Sequence, residues 1–169
     1  LGLVGYGNIG KIHARMAHGF GMKIIACRKS KERGNEGLDF VDIVDFDYLL
    51  EKSDIVSILI PLIELGSCKT ERLIGKKELE KIDRAGLGWL INTSRGAIIN
   101  EKDLIESLKN GVIKKAGLDV YETEPLSEHS ELRKLPNVVL TPHIAGDTKE
   151  ALIARYTLIA ENAIRVMNN

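Results

Sequence analysis

Three ionisable residues in the second half of this chain fall where strands are expected to end. His143 stands in Thr141-Pro142-His143-Ile144-Ala145-Gly146, directly after an apolar run and a proline. Arg95 stands in Asn92-Thr93-Ser94-Arg95-Gly96, and Glu124 follows Gly117-Leu118-Asp119-Val120 within Tyr121-Glu122-Thr123-Glu124-Pro125. Taken singly each has an ordinary role: Arg95 could bind a phosphate, Glu124 could cap a turn, and His143 could be structural. Together they supply a cation for a carboxylate, an acid/base, and a carboxylate to hold and charge that base. The other histidines lack such company. His13 and His18 fall on the first helical pattern as surface or packing residues, and His129 lies in a polar stretch after Pro125 where exposure is expected.

A different constellation opens the chain. Gly5-Tyr6-Gly7-Asn8-Ile9-Gly10 follows Leu1-Gly2-Leu3-Val4 and precedes a helical stretch, so the G-x-G-x-x-G pattern has its strand–turn–helix context. The first glycine permits the turn, the second lets backbone approach a pyrophosphate, and the third lets helix and strand pack closely. The helix N-terminus then offers unpaired N–H groups and a positive dipole end to phosphates. NAD-binding sheets place an Asp or Glu after the second strand to take the ribose hydroxyls. Here the corresponding run is Arg28-Lys29-Ser30-Lys31. A carboxylate would repel a 2′-phosphate, whereas a guanidinium grips it in bidentate fashion and an ammonium adds charge. The prediction is NADP(H) in preference to NAD(H); the competing reading is a solvated basic loop.

The elements that must position these residues alternate along the chain. Apolar runs at Leu1–Val4, Met22–Cys27, Phe40–Val44, Ile55–Ile60, Leu87–Asn92, Ala116–Val120 and Val138–Thr141 read as strands. Continuous Val/Ile/Leu runs, rather than alternation, indicate strands covered on both faces, as in a parallel sheet. Helical patterns occupy Ile9–Phe20, Tyr48–Lys52, Lys76–Ile82 and Glu101–Asn110, and a long one runs from about Thr148 to Met167. Asn100 is a plausible N-cap, and Asn110-Gly111 a helix stop. The pattern predicts a Rossmann-type doubly wound α/β sheet, mostly parallel, with helices on both faces. Ligands of such sheets bind beyond the carboxyl ends of the strands, where the irregular stretches 28–38 and 61–70 also lie.

Composition narrows the function classes. With 169 residues the chain suits one well-buried domain. Lys+Arg and Asp+Glu balance at 24 each, so no net field recruits nucleic acid or an anionic membrane. No apolar run approaches a membrane span. Cys27 and Cys68 lie in no CxxC pair or metal-ligand spacing, so no metal site is expected, both cysteines read as small apolar residues, and a reduced cytoplasmic setting fits. Leu1 opens the chain inside an expected central strand, with no signal-like segment, as in a domain excised from a longer protein.

The stretches Leu90–Gly96, Gly117–Val120 with Glu124-Pro125, and Leu140–Gly146 resemble the signatures of the D-isomer-specific 2-hydroxyacid dehydrogenases. The resemblance covers the whole chain in the family's order, and implies that residues 1–169 are the dinucleotide-binding domain, with the family's substrate domain expected outside them. The resemblance implies that Arg95 binds the substrate carboxylate, that His143 is the general acid/base, and that Glu124 is its paired acid. A neighbouring carboxylate favours the imidazolium form. Asp119 would hydrogen-bond the nicotinamide carboxamide, and Asn8 and Ile9 would contact the pyrophosphate. Ile60 and Pro61 would border the adenosine side, and Thr93 would lie by the nicotinamide ribose. With Gly5, Gly7, Gly10, Arg28, Lys29, Ser94, Arg95, His143, Ala145 and Gly146, these residues complete the expected cofactor-binding set.

Glu124, where formate dehydrogenases of the superfamily carry glutamine, implies 2-oxo acid reduction. Arg28-Lys29-Ser30-Lys31 resembles the loop of the NADPH-using glyoxylate/hydroxypyruvate reductase branch, so NADP is the expected cofactor, with NAD possible. The alternatives are 3-phosphoglycerate, D-lactate or a branched 2-hydroxy acid as substrate, or a dinucleotide-sensing module like the family's corepressors. A homodimer is implied. The loop from Pro61 to Leu73-Ile74 is longer than usual, with Ile63 where threonine or serine is common.

Overall fold

The computed structural model describes residues 1–30, 32, 34–82 and 87–167. Lys31, part of the predicted basic cluster, lies outside the described residues. The strands are β1 (Gly2–Val4), β2 (Ile24–Cys27), β3 (Val41–Ile43), β4 (Ile55–Ile58), β5 (Trp89–Asn92), β6 (Lys115–Leu118) and β7 (Val138–Leu140). They form one sheet in the order β3-β2-β1-β4-β5-β6-β7, and every pairing is parallel. The chain leaves β1 for one side of the sheet and returns to β1's other side with β4, so the winding reverses at the end of β1. That reversal opens a crevice beside the glycine turn, the place where doubly wound sheets take their ligands.

Among the described residues five α-helices connect or follow the strands: α1 (Asn8–Gly19), α2 (Phe46–Lys52), α3 (Lys76–Ile82), α4 (Glu101–Lys109) and α5 (Lys149–Met167). Successive strand residues point to opposite faces, and β1 shows how the two cores arise. Leu3 joins Ala14 and Ala17 of α1 with Ile24 and Ala26 on one face. Val4 joins Leu49 and Leu50 of α2, Leu79 and Ile82 of α3, and Leu104 and Leu108 of α4 on the other. Residues such as Leu79 and Ile82 are fully buried, so truncating either to alanine would cost about 2–5 kcal/mol. Asn100 caps α4 as expected, its side chain accepting from the Asp103 amide, and Gly111 follows the helix end at φ 72°.

Most strands are shorter than the apolar runs that predict them. Val120 is buried and Ile60 packs against the larger core, yet both lie past the last ladder pair of their strands. Apolar character therefore continues under the loops at the carboxyl edge, where burial persists after strand pairing has stopped. The expectation of coverage on both faces also fails locally, since Val139 of β7 is 70 % exposed. The last helix departs furthest from expectation. No residue of α5 is buried, and Ile153, Tyr156, Ile159 and Ile164 face solvent. Its periodic apolar side chains meet none of the two cores. Among the described residues no helix is long and apolar enough to cross a membrane.

Candidate active site

All the candidate residues lie along one edge, just beyond the carboxyl ends of β1, β2, β4, β5, β6 and β7. The three glycines of the opening motif meet three distinct demands. Gly5 turns the chain at φ 108°, and a Cβ there would lie 2.6 Å from the Leu59 carbonyl oxygen and 2.8 Å from Ile60. A Cβ on Gly10 would sit 2.5 Å from the Gly5 carbonyl oxygen, so helix and strand approach only because it is absent. Beside Gly7 there is open space to 4 Å, and no side chain caps the N-terminus of α1. Asn8 and Ile9 lie exposed in that first turn. Uncapped amides facing open space fit a pyrophosphate, because a ligand can take the place of the missing cap. Ile60 adjoins the Gly5 turn and Pro61 follows it into solvent.

The basic run after β2 is more constrained than a solvated loop. The Arg28 side chain is only 9 % exposed, and its guanidinium lies 5.7 Å over the Tyr6 ring. Its Nη1 donates to Glu36 Oε1 at 2.7 Å and to the Gly34 carbonyl at 3.2 Å. Lys29 Nζ lies 2.6 Å from Cys68 Sγ, across the gap to the 61–73 loop. This corrects the reading of Cys68 as an ordinary apolar residue: hydrogen bonds from Lys29 and Ser67 hold its thiol below the usual value. That loop is closed on itself by Thr70, whose Oγ1 donates to the Pro61 carbonyl and accepts from the Ile63 amide, both at 2.7 Å.

At the other end of the edge, Asn92 is buried and organises the turn after β5. Its Oδ1 accepts from the Ser94 amide and hydroxyl, and its Nδ2 donates to the Arg95 carbonyl. Thr93 and Arg95 are thereby left exposed, Ser94 half-buried, and Arg95 Nη1 donates to the Ser94 carbonyl at 2.6 Å. Gly96 is indispensable next to it, because a Cβ there would lie 1.9 Å from the Tyr121 carbonyl carbon. The backbone after β5 thus rests directly on the backbone after β6.

That second segment carries Asp119, Tyr121 and Glu124. Asp119 is 3 % exposed, and its Oδ1 accepts from the Thr141 hydroxyl and the Ile144 amide, its Oδ2 from the Ala145 amide at 2.9 Å. Burial alone would raise its carboxyl, but those three donors and the charge of His143 hold it below the ordinary carboxylate value. The latch fixes the turn 141–145 in place. Tyr121 Oη adds a tie to the Thr141 carbonyl at 2.8 Å. The turn itself puts His143 in left-handed backbone at φ 55°, a conformation that a non-glycine residue keeps only when its surroundings enforce it.

His143 Nδ1 lies 2.6 Å from Glu124 Oε2, and Glu124 Oε1 accepts from the Tyr121 amide. Burial would raise Glu124, but the hydrogen bonds from His143 and Tyr121, with the charges of His143 and Arg95, outweigh it and depress its carboxyl. An ionised Glu124 can only accept, so the proton of that contact sits on Nδ1 and leaves Nε2 to face outward. Beside the pair lies a hollow of about 520 Å³ lined by Leu126, Arg133, Leu140 and Pro142 among others. Among the described residues no cluster of three or more His, Cys, Asp or Glu could hold a metal ion.

The structure puts Glu124 and His143 in direct contact, with Arg95 near enough for its charge to help depress the Glu124 carboxyl. Ala145 gives its amide to Asp119, and Gly146 is exposed beyond it. His13 is half-buried, His18 stacks on Phe40 at 4.0 Å, and His129 is exposed. Sequence reasoning gave no role to Asn92, Gly96 or Tyr121. The signal for Asn92 was available, since an amide ending an apolar strand must find partners when buried.

Comparisons with known proteins give the chain's family and fold. The chain is 44 % identical over 164 residues to a glyoxylate reductase of Thermococcus litoralis, covering 97 % of this chain and 47 % of that one. It superposes with a TM-score of 0.83 and 30 % identity on an NADPH-dependent glyoxylate/hydroxypyruvate reductase of Sinorhizobium meliloti in complex with NADP and sulfate, covering 99 % of this chain and 52 % of that chain. A D-isomer specific 2-hydroxyacid dehydrogenase of Lactobacillus delbrueckii in its NAD complexed form gives 0.84 at 31 % identity, with 99 % and 53 % covered. The chain therefore spans about half the length of the relatives it matches. Residues 1–145 match the family described as D-isomer specific 2-hydroxyacid dehydrogenase, NAD binding domain, and the chain belongs to that family.

Proposed function

We propose that this chain is the dinucleotide-binding half of an NADPH-dependent reductase of a small 2-oxo acid of the glyoxylate or hydroxypyruvate type, NADH being a weaker alternative. The observation that carries the reading is the 2.6 Å Glu124–His143 contact on the same sheet edge as the open, uncapped turn at Gly7. Gly5, Gly7, Asn8, Ile9 and Gly10 would hold the pyrophosphate, and Ile60 and Pro61 would border the adenosine. Arg28 and Lys29 would meet the 2′-phosphate. Thr93, Ser94, Asp119, Ala145 and Gly146 would surround the nicotinamide end. Asp119 Oδ2 takes one amide and retains acceptor capacity for a carboxamide N–H.

When bound, the reduced nicotinamide supplies a hydride to the carbonyl carbon of the substrate. Arg95 holds the substrate carboxylate and orients the adjacent carbonyl. His143 gives the Nε2 proton to the carbonyl oxygen as that oxygen gains charge, and Glu124 stabilises the imidazolium before transfer. In the reverse direction neutral His143 accepts the hydroxyl proton. The substrate-selecting portion would lie outside these 169 residues, in keeping with relatives of about twice the length. A homodimer in the cytoplasm fits the family reading.

The test is spectrophotometric. The intact protein should oxidise NADPH with glyoxylate or hydroxypyruvate. Reaction with 3-phosphoglycerate or D-lactate and NAD alone would move the substrate assignment. No turnover with any 2-oxo acid despite cofactor binding would favour a dinucleotide-sensing module.

A further inference from the structure

Arg28, the residue placed to grip a 2′-phosphate, already holds an anion supplied by the chain itself. Glu36 Oε1 accepts from Arg28 Nη1 at 2.7 Å, and Glu36 Oε2 pairs with Lys11 Nζ. Lys11 belongs to the first turns of α1, and Arg28 immediately follows β2. One carboxylate thus bridges a cation from each of the two elements that frame the adenosine ribose in a doubly wound sheet.

The turn that presents Glu36 is specifically built. Glu36 adopts φ 51°, a left-handed conformation disfavoured for any residue with a Cβ, between Gly34 at φ 52° and Gly37 at φ 83°. Tyr6, from the glycine motif, donates its hydroxyl to the Asn35 carbonyl at 3.2 Å. Asn35 Oδ1 accepts from the Gly37 amide. The Arg28 guanidinium, over the Tyr6 ring and bonded to the Gly34 carbonyl, closes the same turn. A carboxylate held between a guanidinium and an ammonium uses the donors that a phosphate monoester would use, since both anions are read by the same groups.

Resting on the dinucleotide reading above, we propose that Glu36 is a specificity-determining residue: an internal anion that competes with the cofactor's 2′-phosphate for Arg28 and Lys11. A 2′-phosphate must displace this carboxylate or sit beside it against like-charge repulsion. A 2′-hydroxyl demands neither. Glu36 therefore narrows the preference that Arg28 creates and leaves room for the unphosphorylated cofactor.

The experiment measures Kd for NADPH and NADH by fluorescence titration of the intact protein, for wild type, Glu36→Gln and Glu36→Gly. Glutamine removes the charge at nearly constant shape; glycine also removes the side chain and suits the backbone angle. Both variants should bind NADPH about tenfold more tightly, in line with loss of one competing charged hydrogen bond, while Kd for NADH moves less than about twofold. An unchanged NADH-to-NADPH ratio in both variants, with wild type binding normally, overturns the competition alone. Weaker NADPH binding also overturns it, showing that Glu36 positions Arg28 instead. Wild type that binds neither nucleotide removes the dinucleotide reading and the competition with it.

Discussion

Two turns on the same sheet edge each force a functional side chain through left-handed backbone, and they are held in opposite ways. His143, at φ 55°, is followed by two amides that bond to the buried carboxylate of Asp119. Glu36, at φ 51°, is held by ion pairs to Arg28 and Lys11 between two glycines. Buried hydrogen bonds to a charged acceptor are strong and little affected by salt; partly exposed ion pairs are weaker and screened. The end proposed to be catalytic therefore has the stronger hold, as proton transfer over a fixed distance would require. The end proposed to meet the 2′-phosphate has the weaker hold, as discrimination between two cofactors would require.

The largest effect should come from His143→Ala in the intact protein. The expected loss is about 10³-fold in kcat with NADPH and a 2-oxo acid, because removal of a positioned acid/base typically costs 10²–10⁴-fold. Kd for NADPH should rise far less than kcat falls, since every charge at the phosphate end is retained. A comparable rise in Kd would show that the two ends are not separable.

Asp119→Asn tests the latch. An amide in place of the carboxylate turns an acceptor into a donor against the Ile144 or Ala145 N–H, and the cost should be about 3 kcal/mol in urea unfolding. The pH dependence has a definite sign. A carboxyl depressed in the folded state contributes stability that is complete above the ordinary value near pH 4 and is lost as pH falls through the native value. The variant should show a flatter acid limb than wild type, and identical limbs would remove Asp119 as the anchor.

Arg28→Asp addresses the other turn. Exchanging a guanidinium for a like charge beside a phosphate should shift the NADPH-to-NADH ratio of kcat/KM about 100-fold towards NADH. No shift would return the segment to a solvated basic loop. A smaller effect follows from screening: raising NaCl from about 0.05 to 0.3 M should weaken NADPH binding about threefold and NADH binding, which lacks the 2′-phosphate, by less.

Much of this was legible in the sequence. The glycine motif, the order of strands and helices, and the convergence of Arg95, Glu124 and His143 followed from residue types and spacing. The details that hold them did not. Asn92, Gly96 and Tyr121 act through contacts between segments far apart in the chain, such as the approach of residue 96 to the Tyr121 backbone. The occupation of Arg28 by Glu36 depends on a turn whose left-handed angle no local pattern specifies at a glutamate. The exposed α5 was equally illegible, because periodicity shows that a helix has an apolar side and not where that side packs.

In the proposed mechanism the buried Asp119 latch preorganises His143 and Glu124 for proton transfer to a substrate held on a dinucleotide-bearing edge. The most direct measurement is NADPH oxidation at saturating glyoxylate by the intact wild type and His143→Ala proteins, with NADPH Kd measured for both. The wild type should turn over, and the variant should lose at least about 100-fold in turnover while its Kd changes far less. Near-normal turnover by His143→Ala would contradict that mechanism.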